Sequence, residues 1–127
     1  LISPYVEYVF GIEDSAAAVS DAEDNSDGLD NVSFEVGKAE DLISSLEFDF
    51  DVAILDPSRK GCNPEALTGL LERSPEKIIY VSCEPKTLSR DVAVLNTKYD
   101  ITDVIPFDMF PHTYHLESMT FLRLKDE

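Results

Sequence analysis

Strand-like and helix-like segments alternate along this chain, and that alternation constrains its fold more than any other feature. Six runs are rich in Val, Ile, Phe or Tyr, as strands usually are; they cover residues 8–12, 32–36, 50–55, 77–82, 101–107 and 119–124. Helix-like stretches lie between them, at residues 15–23, 39–46, 64–73 and 87–96. The order of these segments predicts an α/β fold with a largely parallel sheet.

Two of the strands are continuously apolar, in the sequences FDVAIL and IIYVS. Such strands are typical of parallel sheets that are covered on both faces. The last two strands differ, because only the short segment FDMFPHTYHLES joins them. That connection is too short for a helical crossover, so we expect the final pair to be antiparallel.

Residues that favour helix starts support the helical assignments. Asp14 or Ser15 precedes the Ala-rich stretch at residues 15–23. Asn63 precedes a proline in the first turn of the predicted helix at residues 64–73. The acidic run DAEDNSDGLD at residues 21–30 lies between periodic segments. We interpret it as an exposed helix end and loop rather than as a disordered tract.

The chain is strongly acidic, with 26 acidic and 10 basic residues and a formal net charge of −16. Residues 1–50 hold 13 of the acids and a single base, Lys38. This balance argues against a stand-alone nucleic-acid binder that works through a basic surface. An acidic face that contacts a basic partner and a halophilic surface are both compatible with it.

Length and composition fit one soluble domain that spans residues 1–127. Hydrophobic residues make up 43% of the chain, enough for a packed core. The apolar runs are much shorter than a membrane span, and no basic region precedes an apolar stretch at the start. The two cysteines, Cys62 and Cys83, lack the spacing of a metal site, so a reducing cytoplasm is the simplest location.

Ligands of open α/β sheets bind beyond the carboxyl ends of the strands, which directs attention to the residues that follow each strand. Glu13 ends VFGIE, where its carboxylate can accept hydrogen bonds from a ribose diol; the alternative is a solvated acid at a helix start. Asp56 opens DPSRKGC, in which Arg59 and Lys60 suit a substrate with phosphate nearby; the alternative is a hydrophilic turn.

Two further segments carry reactive side chains. Cys83 follows a buried strand and precedes a helix start, where helix amides and a cation such as Lys86 or Arg90 can stabilise a thiolate. A lone cysteine is otherwise a small buried apolar residue. The segment DMFPHTYHLE at residues 108–117 suggests a binding loop, although its two histidines lack a third metal ligand, and a packed surface loop is the alternative.

Together, LDPSRKGC, YVSCEPKTLSRD and FDMFPHTYHLES resemble, in order and approximate spacing, the catalytic part of the RNA uracil-C5 methyltransferases. The family's segments are DPPR(K/A)G, VSCNP and DMFPHTxHxE. The upstream stretch from VFGIE to GKAEDL is similar to the family's second strand, cofactor-binding acid and following helix. The resemblance therefore covers nearly the whole chain.

The resemblance implies a Rossmann-like class I methyltransferase fold that uses S-adenosylmethionine and acts on uridines of tRNA or large ribosomal RNA. Cys83 matches the nucleophile that adds to C6 of uracil, and Glu117 matches the base that removes the C5 proton. Glu13 and Asp56 match the acids that contact the cofactor. No metal is implied. Phe110 and Tyr114 are our own additions, as aromatic residues that hold an extruded base.

The chain also departs from the family pattern. Ser58 replaces a proline, and Glu84 replaces the asparagine after the cysteine, which places an acid beside a thiol that should ionise. The family's first strand and its Gly-rich turn have no counterpart here. We therefore expect a C-terminal fragment of a longer enzyme, inactive alone, whose missing central strand leaves edges that favour a homodimer or strand exchange.

Two alternatives to this enzyme remain open. One is a non-catalytic acidic interaction domain that keeps the methyltransferase sheet and contacts a basic partner. The other is a small-molecule or DNA methyltransferase, which the HTYHLE segment disfavours because those families typically lack it.

Overall fold

The computed structural model describes residues 1–126 and divides into two compact units, residues 1–45 and the described residues from 46 onward. It contains the six predicted strands and the four predicted helices. The strands are β1 (Val9–Glu13), β2 (Val32–Val36), β3 (Val52–Leu55), β4 (Lys77–Ser82), β5 (Tyr99–Phe107) and β6 (Glu117–Leu124), and the helices are α1 (Ala16–Asn25), α2 (Ala39–Leu42), α3 (Pro64–Arg73) and α4 (Pro85–Leu95).

The first unit is a β-α-β arrangement. Strands β1 and β2 pair in parallel, with Val9 opposite Val32 and Glu13 opposite Val36. Helix α1 connects them, and the hydroxyl of Ser15 caps it by accepting a hydrogen bond from the Ala18 amide at 3.3 Å. The acidic run at 21–30 forms the end of this helix and the turn after it, as predicted.

The second unit contains a four-stranded sheet in the order β3-β4-β6-β5. Strands β3 and β4 are parallel, whereas β6 runs antiparallel to both of its neighbours. The predicted α/β fold, largely parallel with an antiparallel last strand, is confirmed. The parallel pairing is distributed over two separately hydrogen-bonded sheets, with β1 and β3 in different ones.

One face of the four-stranded sheet is packed into the core. Alternate residues of β4 and β6 are buried, among them Ile78, Tyr80 and Leu122, which are at most 2% exposed. Leu70 of α3 and Leu95 of α4 are buried to the same extent. The core of this unit thus lies between the sheet and the two helices.

Element boundaries depart from the predicted ones in two helices. The predicted helix at 39–46 is α-helical only over α2 and continues as a 3-10 turn at Ile43–Ser45, where the Ser45 hydroxyl donates to the Leu42 carbonyl at 3.0 Å. Serine favours such local bonds over a continued helix. Helix α4 begins two residues before its predicted start, because Pro85 is accommodated in its first turn. Among residues 1–126, no helix is long and apolar enough to span a membrane.

The two end strands of the four-stranded sheet differ in how they present their free edges. Strand β5 carries Asp100 and Asp103, contains Pro106 and has a register shift between Ile101 and Asp103. Charges, proline and bulges are common means of preventing edge-to-edge pairing. Strand β3 has the sequence VAIL, and its Ile54 is 52% exposed. The β3 edge is therefore the one open to another strand.

We expect this chain, produced alone, to self-associate through β3. Light scattering after size exclusion should give a mass above the 14.2 kDa of the monomer. Replacement Ile54→Lys should shift the mass towards the monomer, because lysine on an edge strand opposes pairing. Thr68→Lys adds the same charge at an exposed position of α3 and should not change the mass. A monomer at every concentration of the unaltered chain would contradict the expectation.

Candidate active site

The pairing of β4 with β6 brings Cys83 and Glu117 to one edge of the sheet. Ser82, the last residue of β4, is in register with Ser118 of β6. Cys83 follows Ser82 and Glu117 precedes Ser118, and because the strands are antiparallel the two occupy neighbouring positions across the pair. Directly opposed Cα atoms in such pairs are about 4.5–5.5 Å apart. Both residues are half-buried.

Asp56 lies at the same edge. It follows Leu55, the last residue of β3, which is in register with Tyr80 of the parallel strand β4. Parallel strands present their carboxyl ends on one side of the sheet. The second unit therefore collects three of the four predicted site residues, and the Asp56 side chain is exposed there.

Glu13 belongs to the first unit, where it is the last residue of β1. Its Oε1 accepts a hydrogen bond from the Ser15 amide at 2.8 Å, just before α1 begins. This hydrogen bond agrees with the alternative interpretation of Glu13, that of an acid at the start of a helix. It is also an exposed carboxylate at the carboxyl end of a parallel strand, which the functional interpretation requires.

The backbone around Cys83 is fixed by the residue before it. The Ser82 hydroxyl is buried, accepts a hydrogen bond from the Glu84 amide at 3.1 Å and donates one to the Glu84 carbonyl at 3.1 Å. Both bonds span the cysteine. Ser82 therefore holds the turn that aims Cys83, a role that sequence reasoning did not assign to it.

Glu84 is the N-cap residue of α4. Its Oε1 accepts a hydrogen bond from the Lys86 amide at 3.2 Å. Asp, Asn, Ser and Thr are the usual residues at this position, so Glu84 performs their function with a longer side chain. Its negative charge also lies at the positive end of the helix dipole.

The loop after Asp56 is tied to helix α4. Gly61 donates its amide to the Ser58 carbonyl at 2.9 Å and has φ of +77°, a conformation that glycine adopts without strain. A side chain at Gly61 would lie 2.5 Å from Oδ2 of Asp91. The Cys62 amide donates to that same Oδ2 at 2.7 Å. The loop therefore passes directly over the Asp91 carboxylate.

The loop before Glu117 is in contact with the loop after Asp56. The guanidinium of Arg59 lies 2.9 Å from Nδ1 of His115. The His115 ring also stacks on Tyr114, with ring centroids 4.5 Å apart, and meets Phe110 edge-on at 6.0 Å. Among residues 1–126, no group of three or more His, Cys, Asp or Glu residues forms a metal site.

A cavity of about 350 Å³ adjoins Glu117. Its lining is almost entirely apolar and is formed by the ends of β4, β5 and β6 and by the loop that starts at Asp108. The lining residues are Val81, Phe107, Met109, Phe110, Glu117, Ser118 and Met119. Phe110 contributes to this wall, whereas Tyr114 is 91% exposed outside it.

Sequence reasoning missed the hydrogen-bonding centre of this region, Asp91. This residue is fully buried and bonds Tyr80, Cys62 and Arg90. The sequence signal that could have indicated a buried Asp91 was an acid at an inward-facing position of an amphipathic helix. The guanidinium of Arg90 is engaged with Asp91 and with the carbonyls of Lys60 and Cys62. Lys86 therefore remains the candidate for stabilising a Cys83 thiolate.

Comparison with known proteins adds to this geometry. A family model described as tRNA (Uracil-5-)-methyltransferase matches residues 16–125. An uncharacterized RNA methyltransferase of Staphylococcus epidermidis is 41% identical over 131 residues, which cover 99% of this chain and 29% of that protein. A relative of the same description from Listeria monocytogenes is 41% identical and is covered to 28%. The chain thus spans under a third of these relatives.

Solved structures of methyltransferases also match this chain. The Pyrococcus abyssi tRNA (uracil-54, C5)-methyltransferase in complex with S-adenosyl-L-homocysteine superimposes with a TM-score of 0.80 at 34% identity. That match covers 91% of this chain and 28% of the Pyrococcus protein. The N-methyltransferase NodS of Bradyrhizobium japonicum gives a TM-score of 0.79 at 11% identity over 97% of this chain and 69% of its own, a likeness of fold alone.

The environment of Cys62 makes its thiol difficult to ionise. Burial raises the pKa of the Cys62 thiol to about 11, and the charge of Asp91 acts in the same direction. A thiol reacts with alkylating agents as its thiolate, whose fraction grows about tenfold per pH unit below the pKa. Cys62 therefore holds very little thiolate at neutral pH.

We expect iodoacetamide to modify Cys83 faster than Cys62 at pH 8. In a Cys83→Ser variant, the alkylation rate of Cys62 should rise about tenfold per pH unit up to its pKa of about 11. A Cys62→Ser variant is the matched control that reports Cys83 alone. Intact-mass spectrometry measures both rates, and equal rates at pH 8 would contradict the assignment.

Proposed function

Because this chain belongs to the tRNA (uracil-5-)-methyltransferase family, we propose that it is the catalytic part of an enzyme that methylates C5 of a uridine in RNA. The observation that carries the proposal is the register of Ser82 with Ser118, because Cys83 and Glu117 are the next residues of the two segments at this edge of the sheet. The proposed substrates are tRNA and large ribosomal RNA.

The proposed reaction begins at Cys83. Uracil C5 is a weak nucleophile, and addition of the Cys83 thiolate to C6 forms a C–S bond and makes C5 nucleophilic enough to accept a methyl group. The Ser82 hydrogen bonds to Glu84 hold the backbone turn at Cys83, which restricts the directions in which the Cys83 side chain can approach the base. S-adenosylmethionine would supply the methyl group from its sulfonium and leave as S-adenosylhomocysteine.

Glu117 completes the proposed reaction as general base. Its carboxylate takes the proton from C5, the C5–C6 double bond forms again, and the C–S bond breaks to return the Cys83 thiolate. The apolar cavity beside Glu117 fits this role, since a base extruded from RNA needs an apolar pocket with few polar groups. Phe110 lines this cavity, and we assign it to contact the base.

Each of the two acids that we assign to the cofactor has, within its own unit, the position that a cofactor contact requires. Glu13 and Asp56 are exposed carboxylates, each at the carboxyl end of a parallel strand. Such carboxylates accept hydrogen bonds from ribose hydroxyls and from the ammonium group of a methionine moiety. We assign Glu13 to the ribose and Asp56 to the methionine end.

We propose that the chain acts as the C-terminal part of a longer protein. It spans 29% of its Staphylococcus epidermidis relative. In this proposal most RNA contacts are made by the rest of the longer protein, which would reconcile the net charge of −16 of this chain with an RNA substrate. The chain alone is then inactive. The alternative of an acidic interaction domain predicts that the full-length protein also lacks activity.

Methyl transfer to unmodified tRNA and ribosomal RNA transcripts tests the proposal in the full-length protein. We expect 5-methyluridine by nucleoside mass spectrometry, and none with Cys83→Ala. Glu117→Gln should slow product formation about 10²–10⁴-fold and accumulate a protein–RNA adduct, because the C5 proton stays in place. Cys62→Ala is the matched control and should retain activity. A folded parent that binds the cofactor and makes no 5-methyluridine would favour the interaction domain.

Glu84 generates a separate prediction. Glu84→Asn keeps an acceptor for the Lys86 amide and removes a negative charge next to Cys83. Loss of that charge favours the thiolate, so we expect alkylation of Cys83 at pH 7 to become about two- to tenfold faster. Glu84→Asp, which keeps the charge and shortens the side chain, is the control. An unchanged or slower rate in Glu84→Asn would show that Glu84 does not restrain the thiol.

A further inference from the structure

Asp91 is a buried acid of the second unit, and both of its carboxylate oxygens accept hydrogen bonds. It is fully buried in α4. Its Oδ2 accepts from the Tyr80 hydroxyl at 2.6 Å and from the Cys62 amide at 2.7 Å, and its Oδ1 accepts from Nε and Nη2 of Arg90 at 2.8 and 2.7 Å. A buried charge is tolerated only when it is bonded in this way.

Side chains of helix α4 hold the backbone of the loop after Asp56 through hydrogen bonds. The Cys62 amide binds Asp91, and Nη2 of Arg90 donates to the carbonyls of Lys60 at 2.9 Å and Cys62 at 3.2 Å. The Thr87 hydroxyl adds a bond to the Arg59 carbonyl at 3.1 Å. Four successive peptide groups of the loop are therefore contacted by one helix.

The loop that is held in this way carries the contact to the opposite loop. Arg59 reaches His115 at 2.9 Å, two residues before Glu117. Tyr80, which binds Asp91 on the core side, lies in β4 three residues before Cys83. Asp91 is thus connected to all three segments that carry the proposed site, although it is buried and touches no substrate itself.

We propose that Asp91, with Arg90, is a positioning residue that locks the 58–62 loop onto α4, so that Arg59 fixes His115 and the segment leading to Glu117. The proposal rests on the proposed function for its consequence in catalysis. The attachment of the 58–62 loop to α4, called the lock below, is a property of the fold. It can be measured without an assay of methyl transfer.

The rate of trypsin cleavage measures how firmly the 58–62 loop is held on α4, because Arg59 and Lys60 are cleavage sites within this loop. In the full-length protein, Asp91→Asn should accelerate cleavage after these two residues by about tenfold relative to cleavage after Lys77, in the central strand β4. Cleavage after Lys77 reports global unfolding. Arg90→Lys, which keeps a cation beside Asp91 and loses the forked contact to the loop, is the milder second variant and should act in the same direction.

Single-turnover methyl transfer measures the consequence of the lock. At a temperature where each variant is folded, Asp91→Asn and Arg90→Lys should lower the rate constant by about tenfold or more, because a displaced loop misplaces the Glu117 segment. Tyr99→Phe should destabilise the protein but keep the rate constant within about threefold, since the buried Tyr99 hydroxyl donates to the Pro75 carbonyl rather than to Asp91. Asp100→Asn, at an exposed acid near Lys125, is the charge control.

The two measurements separate the possible failures. If cleavage at residues 59 and 60 rises only in parallel with cleavage after Lys77, Asp91 is a structural residue and the proposal is wrong, whatever the activity. If loop cleavage rises selectively while the rate constant of an active parent stays the same, the loop does not position the site and the proposal is again wrong. A parent without methyl transfer contradicts the proposed function and leaves the trypsin result to decide the lock.

Discussion

The antiparallel pairing of β4 with β6 is the interaction on which the rest of the site depends. It places Ser82 opposite Ser118 and thereby sets the nucleophile candidate and the base candidate across from each other. A slip of one residue would turn every side chain of β6 to the other face. Such a slip would expose Leu122 and bury Arg123, so the hydrophobic core and the site geometry are fixed by the same register.

A buried charge supplies the second constraint. Asp91 is inside the protein, in the interior of the helix α4 that follows Cys83, and its four hydrogen bonds offset the cost of removing it from water. The backbone of Gly61 passes so close to this carboxylate that a side chain there would meet Oδ2 at 2.5 Å. The 58–62 loop and strand β4 are thereby bonded to one carboxylate, whereas a purely apolar contact would leave them free to slide.

Residue composition and periodicity predicted the six strands and the four helices, and the short last connection predicted the antiparallel last strand, because these features depend on local sequence. The position of Asp56, Cys83 and Glu117 at one edge followed from the rule for α/β sheets together with the family resemblance. The role of Asp91 could not be predicted, because its bond to the Cys62 amide joins residues 29 positions apart. Neither periodicity nor composition encodes such a contact. Helix α2 was predicted too long because local serine bonds compete with helix continuation.

The acidity of the chain and its proposed action on RNA are compatible, because recognition depends on local charge rather than on net charge. Most of the imbalance lies in residues 1–50, with 13 acids and one base. Near the candidate site the cations Arg59, Lys60, Lys86 and Arg90 occur within two short segments. Arg59 and Arg90 are engaged with protein partners, so their charge organises the loops. Lys60 and Lys86 are exposed, and they are the cations of this region that a phosphate can reach.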